Sequence, residues 1–498
     1  MSGIFDEIRF PCASSGVQIY KMLISGKWVE SSNRTTLEIL NPYDNSIVGK
    51  VPKATREDAL AAVHAAYNAK SRIAKMTAFD RAKILDRIAD IVEENRDAFR
   101  DTIVLEAGKP SKVAEGEVAA TIERFRFAAD EVKQVYGEAI LGDEVPWNPE
   151  KIGIVLRKPL GVVLAICPFN YPLYIGTSKI APAIAAGNSV VIKPASDDPI
   201  CLLMLAKVMQ DAGLPSGVIN IVTGNSSEIG DVLVGRKEID MVSFTGSSSV
   251  GHHATKVAGM KQLQMELGGK SPALVLKDAD LELAAKQCVS GALKYSGQRC
   301  DAISRILVVD KVANAFVDKV ISEVKKWKVG DPRNPRTSIG PLINKRAVDK
   351  VDELVKDAKI KGAKVLQGGN RGNGLFYEPT ILDNVTTDMR IAWEEIFGPV
   401  VTIMRIKDYE TAIRIANESE YGLDSSVFTN DINKAIDAGL RIESGTVQIN
   451  AAPAHGIGNF PFGGDKESGI GREGIKRSID EMTTLHTIVF NPKSPDNQ

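Results

Sequence analysis

The sequence predicts an α/β protein built from two doubly wound units, and three observations lead there. Short apolar runs rich in β-branched residues recur at 162–166, 189–192, 218–222 and 241–244, with helix-length segments at 174–186, 200–212 and 227–234. The alternation restarts near Pro272, with strand-like runs at 273–276, 305–309, 400–405 and 446–449 and helical pieces at 281–294, 311–326 and 344–361. The runs are continuously apolar instead of alternating with polar residues, as expected of parallel strands covered on both faces. Such sheets bind ligands beyond the carboxyl ends of their strands.

The preceding elements follow local rules. Residues 23–51 read as short extended pieces punctuated by Gly26, Asn33, Asn41-Pro42 and Gly49, and helical period begins near Arg56. Thr77 with Asp80 three residues on has the form of a capping box. After it Ile84, Leu85, Ile88, Ile91 and Val92 recur at helix spacing, leaving Arg81, Asp86, Asp90 and Glu94 for water. A second long helix is expected over 111–135, ending before Gly137. There is no solenoid repeat or low-complexity tract, and the polar tail after Pro492 is expected to fray.

Composition bounds the function. The 498 residues suit about three domains or sub-domains. They are 44% apolar and 25% charged, the balance of a soluble globular protein. Lys and Arg number 62 against 63 Asp and Glu, a formal charge of −1. Nothing therefore concentrates positive charge for nucleic acid or an anionic membrane. Apolar stretches such as 161–167 fall far short of the roughly 18–20 residues that span a bilayer. The first ten residues include Asp6 and Glu7 and do not read as a secretory signal. Five widely spaced cysteines form no disulfide framework. A cytoplasmic enzyme is expected.

Four clusters bear on chemistry. FTGSSSVG (244–251) follows a predicted strand and opens a predicted helix, where free amides and the Ser247 hydroxyl suit a pyrophosphate; the same run also suits an ordinary strand-to-helix turn. In GQRC (297–300), Arg299 is expected to lower the Cys300 thiol pKa and favour the nucleophilic thiolate, whereas Cys201 and Cys288 read as small buried apolar residues. In ELGGK (266–270), Glu266 beside two glycines can approach a substrate, or can be a solvated helix-end residue. In CPFNYP (167–172), Asn170 in a proline-bounded loop can donate to an oxyanion, or the run is merely a turn. The His252-His253 pair has no carboxylate or Cys at ligand spacing, so no metal site is expected.

Together these clusters make the chain resemble the aldehyde dehydrogenase superfamily over about 26–490. The resemblance is carried by PFNYP (168–172), IKPAS (192–196), FTGSSSVG, MELGGK (265–270), GQRC, EEIFGPV (394–400) and PFGGDKESGIGREG (461–474). FNYP, SGQRC, TTDMRIAWEEIFGP and NFPFGG are similar to the branch of non-phosphorylating glyceraldehyde-3-phosphate dehydrogenases.

The resemblance implies that Cys300 attacks the aldehyde, that Asn170 and the Cys300 N–H hold the oxyanion, and that Glu266 activates water. Glu266 is then expected to be partly buried, because a glutamate base needs a raised pKa. Lys179 and Glu473 would form a helper proton relay, with a surface ion pair as the alternative. Cofactor residues implied are Ile166, Cys167, Phe169, Lys193, Ser196, Gly230, Asp231, Gly246, Ser247, Gly251, Leu267, Glu395 and Phe397. Ser196 stands where NAD-selective relatives carry a glutamate that repels a 2′-phosphate, so NADP is expected to be accepted and preferred, with NAD possible.

Substrate contacts implied are Asn170, Tyr171, Arg299 and His455. Two positions depart from the branch: His455 replaces an Arg, and Ala120 lacks one, with Arg124 a turn away as a substitute. Phosphate binding is then expected to be weaker, or to depend on pH through His455. The implied reaction is oxidation of glyceraldehyde 3-phosphate to 3-phosphoglycerate without inorganic phosphate. The alternative is another small aldehyde, such as lactaldehyde, glyceraldehyde or succinic semialdehyde. Acyl transfer to coenzyme A is disfavoured by Glu266, and a non-catalytic nucleotide-binding scaffold by the presence of Cys300, Asn170 and Glu266 together.

The implied architecture is a cofactor-binding domain over 1–136 and 157–267, a catalytic domain over 268–443, an oligomerisation arm over 137–156 and 475–498, and a return segment over 444–474. The arm is expected to extend a neighbour's sheet in a homotetramer, a dimer of dimers.

Overall fold

The structure is a computed structural model describing residues 3–10, 16–455 and 458–492. The tail expected to fray lies outside the described residues. The first sheet has parallel strands in the order Ile219–Ile221, Ser189–Lys193, Val162–Ile166, Met241–Thr245, Gln262–Glu266. Antiparallel strands close both of its edges: Met22–Ile24 beside Ile219–Ile221, and Gly469–Ile470 beside Gln262–Glu266. The second sheet runs Thr380–Asp383, Val400–Ile406, Ile303–Val309, Ser271–Val275, Asp424–Phe428, Thr446–Ile449, all parallel, with Lys364–Gln367 antiparallel at one edge. The strand Thr446–Ile449 thus belongs to this sheet, as its apolar run suggests, and the return segment implied over 444–474 begins with a strand of the second unit.

Each sheet is covered on both faces because successive side chains point to opposite sides. Val163 and Ala165 enter one core while Val162 and Leu164 enter another. Leu274 is likewise separated from Ala273 and Val275. A three-stranded antiparallel arm stands apart, in the order Thr483–Phe490, Ile152–Pro159, Glu138–Leu141. Its apolar side chains Ile140, Leu141, Ile154, Leu485 and Val489 are exposed.

Local expectations hold with adjustments. The helix Ala78–Glu94 starts at Thr77, but Asp80 bonds the Thr77 hydroxyl (2.7 Å) instead of its backbone N–H, so the box is one-sided. The reciprocal box occurs at Thr55, with Asp58 N–H to Thr55 Oγ1 at 3.3 Å and Thr55 N–H to Asp58 Oδ2 at 2.8 Å. The helix Ser111–Glu131 ends in a 3₁₀ turn, Val132–Gln134. Pro172 opens the helix Pro172–Ala186, where a proline lacks nothing by having no N–H.

Candidate active site

Strand ends of the first sheet deliver most of the candidate residues. Ile166 leads to Asn170, Lys193 to Ser196, Thr245 to Ser247, and Glu266 to Leu267. Opposite them stand loops that enter strands of the second sheet: Cys300 precedes Ile303–Val309, and Glu395–Phe397 precede Val400–Ile406. Two cavities of about 450 and 510 Å³ lie between, and Asn170, Thr245 and Cys300 line both.

The first cavity is lined by Ile166, Cys167, Phe169, Lys193, Ser196, Gly246, Ser247, Leu267, Glu395 and Phe397. Phe169 and Phe397 meet edge to face at 5.7 Å, and Phe397 holds a left-handed φ of +55°. Ser247 opens the helix Ser248–Ala258 without bonding a first-turn N–H, leaving those donors free for an anion. Lys193 is buried, with Nζ 2.8 Å from the Pro194 carbonyl, and burial lowers its pKa to about 8. Ser196 Oγ donates to the Gly224 carbonyl at 3.0 Å. A long cavity with a helix N-terminus, a lysine and a pair of aromatic rings fits a dinucleotide. Arg346 and Lys350 also face it, and the sequence reading passed over both.

Gly230, Asp231 and Gly251 do not line this cavity. Gly230 and Asp231 lie in the helix Ser226–Val234, where Asp231 pairs with His253 at 2.8 Å on the surface. Gly251 sits within Ser248–Ala258, and a Cβ there would collide with Leu267. His252 pairs separately, with Glu467.

The second cavity is lined by Tyr171, Glu266, Arg299, His455 and Glu473. Glu266 ends a strand, so the solvated helix-end reading is corrected: it is 4% exposed, and neither carboxylate oxygen has a hydrogen bond. Burial, then the Glu473 carboxylate, push its pKa well up, against Lys179 and Arg472. Asn170 is buried, and its Oδ1 accepts the Tyr171 N–H at 3.0 Å, which leaves the amide NH₂ as its donor.

Three electrostatic expectations need correction. Arg299 does not activate Cys300: its guanidinium is engaged by Asp301 at 3.0 and 2.8 Å and by the Pro453 carbonyl at 2.9 Å. Burial, followed by the Asp301, Glu266 and Glu395 carboxylates, raises the Cys300 pKa well above the ordinary thiol value, and Arg299 opposes this only weakly. The resting group is the thiol. His455 is no titrating switch near neutrality. Burial, then Arg124, Arg299 and Lys179, lower its pKa, and its Nε2 lies 3.2 Å from Glu473 Oε2 without hydrogen-bond alignment. The surface alternative for Lys179 and Glu473 also fails, because the two are 0% and 1% exposed and 2.9 Å apart.

Arg124 does not line the second cavity; it is buried and donates to the Tyr174 hydroxyl. Lys112 and Lys294 line the cavity instead, both exposed, and neither forms an ion pair among the described residues. Asp301 could have been found from sequence, since it lies two residues from Arg299 and an Arg so placed can spend its charge locally. Cys201 and Cys288 are sealed in the interior as expected.

A profile of the aldehyde dehydrogenase family matches residues 28–488. The chain belongs to the aldehyde dehydrogenase family. It is 43% identical over 473 residues to the NADP-dependent glyceraldehyde-3-phosphate dehydrogenase of Streptococcus equinus, covering 95% of this chain and 98% of that one. It is 40% identical over 476 residues to the lactaldehyde dehydrogenase of Methanococcus aeolicus, covering 95% and 100%. Among solved structures, the crystal structure of NADP-dependent glyceraldehyde-3-phosphate dehydrogenase from Bacillus halodurans C-125 complexed with NADP superposes with a TM-score of 0.93 at 42% identity, covering 95% of this chain and 99% of that one. The expected fold is therefore that of this family member, with two α/β units and an arm.

Proposed function

We propose that the protein oxidises glyceraldehyde 3-phosphate to 3-phosphoglycerate with NADP, without inorganic phosphate. The observation that carries this is the meeting of two cavities at Cys300 and Asn170, with the unbonded Glu266 carboxylate facing one of them. The named activities of the Streptococcus and Bacillus relatives support the substrate and the cofactor.

Cys300 Sγ attacks the aldehyde carbon after its thiol proton leaves, and Glu266 is the base at hand. The Asn170 amide and the Cys300 N–H then hold the oxyanion of the thiohemiacetal; losing one such donor typically costs about 2.7–4 kcal/mol of barrier. When bound, the dinucleotide supplies the hydride acceptor that converts the adduct to a thioester. Lys193 and Ser196 would hold its adenosine side, Ser247 its pyrophosphate, and Glu395 and Phe397 its nicotinamide side. Glu266 takes a proton from the water that releases the acid, and Lys179 with Glu473 passes that proton onward.

The second cavity's charges pair off: Arg299 with Asp301, Glu117 with Lys109, Glu473 with Lys179. Lys112 and Lys294 are the cations left for a substrate phosphate. The same pairing favours a second reading, an uncharged aldehyde such as lactaldehyde, and the Methanococcus relative's name accords with it. Comparing kcat/KM for glyceraldehyde 3-phosphate and glyceraldehyde, each with NADP and NAD, tests both. A clear preference for the phosphorylated substrate supports the first reading, and a preference for the plain aldehyde establishes the second.

The domain boundaries given above, with the second unit extended to Ile449, are part of this reading. So is a homotetramer, supported by the exposed apolar arm and the open edge strand Thr446–Ile449. So is a cytoplasmic setting, supported by four free cysteines among the described residues. Among those residues no helix is long and apolar enough to cross a membrane.

A further inference from the structure

A lysine–glutamate pair with no part in the chemistry above is sealed beside both reacting loops. Lys109 is 0% exposed and Glu117 2%, and Lys109 Nζ contacts Glu117 Oε2. Glu117 Oε1 accepts the N–H groups of Leu173 (3.0 Å) and Tyr174 (3.2 Å). These belong to the first turn of Pro172–Ala186, whose donors have no partner inside the helix. That helix starts directly after Asn170-Tyr171.

The ammonium group also sits 3.8 Å from the ring centre of Tyr171 and 4.4 Å from that of Tyr295, and the two rings meet edge to face at 5.8 Å. Tyr171 adjoins Asn170. Tyr295 begins the turn leading to Cys300, holds a left-handed φ of +52°, and donates its hydroxyl to the Ala107 carbonyl at 3.1 Å. One buried charge therefore touches the loop that carries the amide and the loop that carries the sulfur. Burial disfavours the ammonium, and Glu117 opposes that effect. Apolar residues of the same shape generally serve stability as well as a buried pair does, so stability alone does not account for it.

We propose that Lys109 and Glu117 are positioning residues that hold the Asn170 amide in register with the Cys300 sulfur by tying their two loops together. The inference rests on the roles proposed above for Cys300 and Asn170. Glu266 arrives on a separate strand and is not tied by this pair. Thioester formation and thioester hydrolysis both pass through an oxyanion on the same carbon, so both depend on the pair, whereas cofactor binding does not.

The test uses Lys109→Met, Glu117→Gln and the double variant, with an aldehyde that the wild-type protein turns over. The double variant leaves no lone buried charge, and Glu117→Gln keeps an acceptor for the helix N–H groups, so one of them supplies folded protein. Burst kinetics separate acylation from hydrolysis, and fluorescence titration gives cofactor affinity. The expected result is a burst rate at least about 10-fold lower, since misplacement by about 1 Å can cost 100-fold. Hydrolysis should slow along with the burst, while the double variant keeps NADP affinity and Tm near wild-type. A folded double variant with a wild-type burst overturns the proposal, as does a loss of NADP affinity that matches the loss of burst. Cys300→Ala is run alongside: retained turnover there overturns the reading of Cys300 and this proposal with it, whereas a silent Cys300→Ala beside an unaffected double variant overturns the positioning role alone.

Discussion

Lys179 Nζ lies 2.9 Å from Glu473 Oε1, and neither side chain reaches solvent. A buried pair of this kind is costly to break from one side. Lys179→Met should destabilise the protein by about 3–5 kcal/mol, because it strands the Glu473 charge. Lys179→Met with Glu473→Gln should recover most of that loss in urea denaturation. Equal losses in the single and double variants would show that the pair contributes only packing.

In the mechanism proposed above Glu266 works as a carboxylate, whereas burial and Glu473 hold it toward its acid form. Thioester hydrolysis should therefore rise with pH through a value well above the ordinary carboxylate range, and the acylation burst, which uses the same base for the Cys300 thiol proton, should share that limb. The folded chain also binds this proton more tightly than the unfolded chain, so the group costs stability as pH rises above about 4.3. Glu266→Gln should raise stability near pH 8 by about 1 kcal/mol while abolishing hydrolysis. A Tm unchanged or lowered by that substitution would contradict the burial argument.

Ser196 faces the first cavity through a hydroxyl that donates to the Gly224 carbonyl. Ser196→Glu should shift the ratio of kcat/KM values for NADP and NAD toward NAD by about 100-fold, the equivalent of roughly 3 kcal/mol of like-charge repulsion. An unmoved ratio would mean that the 2′-phosphate lies elsewhere.

Lys112 and Lys294 are exposed at the second cavity. Changing either to Met should raise KM for the phosphorylated aldehyde by about 5-fold, with little effect on the plain aldehyde. Added salt should shrink the difference. If both aldehydes respond equally, these lysines do not meet the phosphate.

His455 stays neutral in the folded chain near neutral pH, so substrate KM should show no inflection near 6.5 that His455→Gln removes. Its depressed pKa means that the unfolded chain binds the proton first. Stability from this group is present above about pH 6.5 and falls as the solution is acidified below it. A His455 imidazole signal in NMR titrating near 6.5 would refute this.

The fold was largely legible because its cues are local. Continuous apolar runs mark strands covered on two faces, and Pro172 and Thr77 mark helix starts within a few residues of themselves. The strand Gln262–Glu266 was missed because Gln262 and Gln264 break the apolar run, although the burial of Glu266 was expected from its role as a base. Arg124 misled because helical spacing places it near Ala120 but says nothing of Tyr174, which takes its guanidinium.

From the residues alone came the two-unit architecture, the order of the motifs, and the identity of the groups able to react: a thiol, an amide and a carboxylate. Only the folded chain decided their state. Whether Arg299 is free or bound to Asp301, whether Lys179 is wet or sealed with Glu473, and which loops Lys109 touches are all set by burial and by partners that are mostly far apart in sequence. Charge interactions depend on distance and on how much water is excluded, and both quantities exist only once the chain has closed around them.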